Sequence, residues 1–145
     1  MSEKQERARE VFGSGFNCAQ AVLTAFCEQY GLDAKLAAKL ACGLGGGIRS
    51  AEVCGAVSGA VLVIGLKYGQ AEPADKADKD VCYAKTVEFL DSFREHFGSI
   101  VCRDLLGCDI STPEGYAQAD SQNLFTTRCS DIVAAAVGLL EDAGY

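Results

Sequence analysis

The sequence has one histidine, His96, and no locatable partner for it, so a Ser-His-Asp arrangement is not supported. Its acidic pairs, Glu141-Asp142 and Asp78/Asp80, stand in no apolar setting that would raise a carboxyl pKa for general acid work, and hydrolase chemistry is disfavoured. Basic clusters are missing too. With 20 acidic residues against 13 basic ones the net charge is −7, which disfavours nucleic acid and anionic membrane surfaces as partners. The longest apolar or small stretch, residues 53–66, stops at Lys67. It falls short of the roughly 20 residues that span a bilayer. The opening MSEKQERARE is charged from its third residue and has no apolar core, so a secretory signal is not expected. These absences lead us to expect a soluble, cytoplasmic protein without membrane insertion.

Eight cysteines are what the chain has instead. At 145 residues it can bury a core as one domain, residues 1–145, without covalent staples. In the cytoplasm thiols are kept reduced, so cysteine-rich composition points first to metal binding or redox chemistry. There is no C-x-x-C pair of the kind used by zinc ribbons and thioredoxins, and no C-x-x-C-H for covalent haem. Any site must be assembled by tertiary packing.

Almost every segment has the helical period and none alternates as a strand, which predicts an all-α, single-domain bundle of about six to seven helices. A first helix covers residues 3–12. Asn17 caps a second that runs to Tyr30 and stops at Gly31; Asp33 caps a third, residues 34–42, ending in a glycine run. The fourth, residues 52–68, is rich in Gly and Ala and should be the buried centre. Pro73 at a first-turn position starts a fifth helix to His96, with a core stripe of Cys82, Thr86, Phe89, Phe93 and Phe97. Ser99 caps a short helix through Leu106. Residues 109–126 read as polar and irregular, with at most a helical turn after Pro113, and Thr127 caps a last helix, residues 128–142.

Cys18, Cys54, Cys102 and Cys129 each fall in the first turn of a predicted helix, where the dipole and free N–H groups favour thiolate. Their helical faces agree: Cys18 shares one with Val22 and Phe26, Cys102 with Leu105 and Leu106, and Cys129 heads the stripe Val133, Ala136, Leu140. Cys54 lies in a helix apolar all round. All four can look inward to a shared volume. Cys27, Cys42 and Cys82 read as small buried hydrophobes, and Cys108 as a candidate resolving thiol near Cys102. Gly45-Gly46-Gly47 lacks the ending of a P-loop and reads as a flexible cap. His96 reads as a surface residue at a helix end. Arg103 could stabilise the Cys102 thiolate or sit in an exposed salt bridge.

The segments Asn17-Cys18-Ala19-Gln20-Ala21-Val22, Gly45-Gly46-Gly47-Ile48, Cys54-Gly55-Ala56-Val57-Ser58-Gly59 and residues 98–107 around Cys102, together with Cys129, resemble the redox-active family C_GCAxxG_C_C. The resemblance spans nearly the whole chain in order. It places the family's four cysteines on Cys18, Cys54, Cys102 and Cys129, and implies a redox or metal-linked role. A related domain occurs in split-Soret cytochromes, but their haem-attachment motifs are absent here and haem is not carried over.

Two chemistries fit four converging thiols. They can hold an iron–sulfur cluster, or a zinc ion, which would offset their mutual repulsion and serve electron transfer. Without a metal they can exchange disulfides, with Cys54 attacking and Cys18 as a further redox thiol. The contrasting reading is a noncatalytic helical module that binds a partner or ligand and uses its cysteines for packing. A redox partner is implied but not named by the sequence, whether the chain is an enzyme stays open, and a homo-oligomer is compatible with the glycine-rich fourth helix.

Overall fold

The computed structural model describes all residues, Met1–Tyr145, and the fold is all-α. A capping box, Ser2 with Gln5, opens α1 (Glu3–Gly13). A second box, Asn17 with Gln20, opens α2 (Cys18–Phe26), which tightens into a turn at Cys27–Tyr30 before the left-handed Gly31. Asp33 accepts from the Leu36 N–H and starts α3 (Ala34–Ala41). There follow α4 (Gly55–Tyr68), α5 (Lys76–Phe97), α6 (Cys102–Leu106), α7 (Pro113–Ser121) and α8 (Arg128–Asp142).

Eight helices form where six or seven were expected, the addition being α7. Thr112 caps it by accepting from the Gly115 N–H at 3.0 Å, and Pro113 fills its first position. It buries only Gly115 and Ala119, so its apolar period is too faint to read in advance.

Two helix starts are displaced by one cause. Val53 and Val101 pair as an isolated antiparallel bridge. The Cys54 N–H donates to the Ile100 carbonyl at 2.8 Å and the Cys102 N–H to the Glu52 carbonyl at 2.6 Å. Extended backbone at these residues delays α4 to Gly55 and α6 to Cys102, so Ser99 is not the cap of α6. Its hydroxyl instead accepts from the Val101 N–H and donates to Asp104. Pro73 also lies outside its helix: the Asp75 N–H closes a turn onto Glu72, and α5 begins at Lys76.

The Gly/Ala-rich α4 is the buried centre, packed most extensively on α2. A Cβ at Gly59 would come within 2.7 Å of the Ala19 carbonyl oxygen, so the close crossing of α2 and α4 needs the missing side chain. Along α5 only Phe89 and Phe93 are buried, while Cys82, Thr86 and Phe97 are half-buried. The main core holds 23 buried residues. A satellite of six, including Ala51, Cys102, Cys108 and Ile110, lies under the segment from α6 to α7. The seam between these two clusters is where the cysteines meet.

Candidate functional site

Cys18, Cys54, Cys102 and Cys129 line one cavity of about 270 Å³. Each has its own device. The Asn17–Gln20 box fixes Cys18 at the first position of α2, and both members tie it to α3: Asn17 donates to the Cys42 carbonyl at 2.8 Å and the buried Gln20 to the Ala38 carbonyl at 2.9 Å. Gly45 packs against Asn17, and a Cβ there would lie 2.6 Å from its side chain. Cys54 and Cys102 are held by the bridge. Cys54 is therefore the residue preceding α4 and not a member of its first turn. Cys129 is the second residue of α8, its N–H donating to the Leu124 carbonyl at 2.9 Å. Gly55 makes the approach of α2 possible, because a Cβ there would overlap the Cys18 sulfur.

The thiols sit at helix starts, yet their surroundings favour the protonated form. Burial pushes Cys18 and Cys54 up, Cys102 to about 11 and Cys129 to about 12, and the neighbouring thiols add to the shift of the last three. Helix N-termini do not overcome this: backbone N–H groups of Ala56 and Val57 at the start of α4 favour the Cys54 thiolate, but burial outweighs them. Backbone N–H groups of Gly46 and Ala19 do favour the Cys18 thiolate, but burial outweighs them.

The other cysteines separate as follows. Cys27 is fully buried in the main core, with its thiol toward the Thr24 carbonyl. Cys82 is half-buried. Cys42 is exposed, contrary to expectation: α3 turns Ala37 and Ala41 inward, and Cys42 is one residue beyond that face. Cys108 is buried beside the site, and its charge would raise both Cys102 and Cys129. It does not line the cavity. Cys18, by the same measure, is felt by Cys54, Cys102 and Cys129 alike.

The glycine run leads into a left-handed turn. Gly46 (φ 65°, ψ 34°), Gly47 (φ 65°), Ile48 (φ 59°, ψ 41°) and Arg49 (φ 55°, ψ 17°) are all left-handed, and Ala51 is as well. A β-branched residue in this region is an outlier. The turn places Arg49 in the cavity wall, as its only charged side chain, and Arg49 favours the Cys102 thiolate. Arg103 does not have that role: it donates to both Glu52 carboxylate oxygens at 3.1 Å on the surface. Arg128 lies over the Phe97 ring, donates to the Leu105 carbonyl at 3.2 Å and favours the Cys129 thiolate. His96 is exposed at the end of α5.

A sequence profile described as "Putative redox-active protein (C_GCAxxG_C_C)" matches residues 16–143. The chain belongs to the C_GCAxxG_C_C family. No curated protein and no solved structure matches it. The four cysteines on which the resemblance rests thus share one cavity wall. Gly55, directly after Cys54, is the residue that admits the Cys18 sulfur. No helix is long and apolar enough to cross a membrane.

Arg49, Arg128 and the aromatic wall of Phe16, Tyr116 and Phe125 were not anticipated from sequence. For Arg49 the only available signal was its position just after three glycines.

Proposed function

We propose that the protein is a small electron carrier that holds an iron–sulfur cluster on Cys18, Cys54, Cys102 and Cys129. The observation that carries this reading is that four cysteines from four different helix starts line a single cavity. The donor set suits the group, since four thiols with no other ligand type are the usual attachment for such clusters. The sulfurs line a wall and do not meet at a point: no three His, Cys, Asp or Glu groups are close enough together to share one ion. A tetrahedral zinc would need each sulfur about 2.3 Å from one centre, whereas a cluster with several irons spans a wider gap. When bound, the cluster would supply a one-electron couple.

The chain's own residues do the rest. The capping box, the Val53–Val101 bridge and the Leu124 carbonyl orient the ligands before any cofactor arrives. Apolar side chains such as Leu105, Ile110 and Ile132 limit water at the sulfurs. Arg49 and Arg128 offset part of the negative charge that four thiolates would bring. The thiols must lose their protons on loading, so uptake is coupled to proton release. A reducing compartment such as the cytoplasm suits this chemistry, with a separate redox protein as partner. Thiol–disulfide exchange is the weaker reading, because an attacking cysteine works as thiolate and burial holds Cys54 and Cys18 protonated.

Protein purified without oxygen should be brown and contain iron and acid-labile sulfide. Replacing any of the four cysteines with serine should remove the colour, whereas Cys27→Ser and Cys82→Ser should keep it. Colourless protein free of metal, with a reversible disulfide among the four, would move the assignment to thiol exchange. Stoichiometric zinc without sulfide would replace the cluster with a single ion.

A further inference from the structure

The cysteines occupy only part of the cavity wall. Phe16, Tyr116 and Phe125 form an aromatic stretch of that wall, with the Tyr116 and Phe125 rings 5.0 Å apart and Phe16 and Tyr116 each nearly half exposed. No carboxylate or lysine lines the cavity; Arg49 is its only charged group. In a chain of net charge −7 this is an acid-free pocket with one cation. Arg49 forms no ion pair, as Arg7 and Arg128 form none, so its guanidinium carries no carboxylate. Its guanidinium is held where a Cβ on Gly46 would lie 2.7 Å from Nη1. Ile48 and Arg49 itself take left-handed backbone at that placement.

We propose that the outer part of this cavity is a binding site for a small organic anion, with the anionic group on Arg49 and an apolar or aromatic body against Phe16, Tyr116 and Phe125. The physical basis is the usual division of labour in small-molecule pockets, where apolar walls bury the body and one placed charge orients it. A carboxylate suits a guanidinium because two parallel N–H groups can meet its two oxygens. Such a ligand would lie beside the thiols. Binding as such does not require a metal, but regarding the ligand as a redox substrate rests on the electron-transfer reading above.

Calorimetric titration with benzoate tests the site, using the metal-free protein and the protein prepared without oxygen. Benzyl alcohol and benzylamine supply the same ring with neutral and positive heads. Saturable binding of benzoate is expected, with benzyl alcohol at least about tenfold weaker and benzylamine undetectable. Arg49→Gln should weaken benzoate at least about tenfold and leave benzyl alcohol unchanged. Arg49→Lys should recover part of the loss, and Tyr116→Ala should weaken both ligands. Circular dichroism of each variant checks that the fold is retained. Absence of benzoate binding, or equal binding by the Arg49→Gln protein, overturns the proposal. Iron content measured on the same samples keeps the two readings apart: benzoate binding without iron uptake sinks the cluster and leaves the anion site standing, and iron uptake without benzoate binding does the reverse.

Discussion

At Cys102 two effects oppose each other. Arg49 favours a thiolate, while burial and the neighbouring Cys18, Cys108 and Asp109 favour the protonated form, and the pKa stands at about 11. In the unfolded chain the same thiol titrates near 9. Between those values the unfolded state loses a proton that the folded state keeps, so stability is fully present below pH 9 and falls as pH rises through this window. The loss is on the order of 1 kcal/mol once solvent screening is allowed for. Thermal melts of metal-free protein from pH 8 to 11 should show this slope, and it should be shallower in Cys102→Ala. An equal slope in the variant would contradict the assignment. Cys42, by contrast with these buried thiols, is open to solvent. Timed alkylation at pH 7.5 with mass spectrometry should label Cys42 well before Cys18, Cys54 or Cys27, and prior labelling of Cys54 would show that its burial is wrong.

Between residue and element, side-chain direction in a regular helix was legible, because steps of three and four residues fix the face. The inward placement of Cys18, Cys102 and Cys129 could therefore be read from their apolar companions. Cys54 was harder, since α4 is apolar on every side and its start depends on the pairing of residues 52–54 with residues 100–102, nearly 50 positions away in the chain. Arg49 was not legible at all. Its place depends on Ile48 and Arg49 adopting left-handed backbone, against the ordinary preference of both residues, which costs roughly 1–2 kcal/mol for each. That strain makes a prediction about the turn. Ile48 is more than half exposed and contributes little packing, so Ile48→Asn should raise stability by about 1 kcal/mol, seen as a higher denaturant midpoint with unchanged slope. A lower midpoint would mean that Ile48 holds the turn through contacts stronger than its strain. Gly55 sets the opposite limit within α4. Ala at this position would place a methyl on the Cys18 sulfur, so Gly55→Ala should cost about 1–3 kcal/mol and abolish the brown colour, whereas Gly65→Ala, with open space at its Cβ, should do neither.

On the scale of the molecule, the site lies between two bodies of buried residues. Cys54 belongs to the main core and Cys18 packs against it, while Cys102 belongs to the satellite and Cys129 packs against that. The satellite is small, holding six buried residues, and α7 contributes only Ala119 to it. Local opening there should cost less than unfolding of the main core, because few apolar contacts are lost. A cofactor bonded to all four cysteines would tie the satellite to α2 and α4, and opening would then require breaking ligand bonds. Amide hydrogen exchange should accordingly slow most in α6 and α7 when the protein is loaded, with little change in the Val57 to Ile64 stretch of α4, already slow. Cys102→Ser should remove that extra protection while the α4 amides stay protected, because the main core retains its own packing. Equal slowing across the whole chain would show instead that the molecule opens as one unit and that the seam has no independent mobility for the cofactor to suppress.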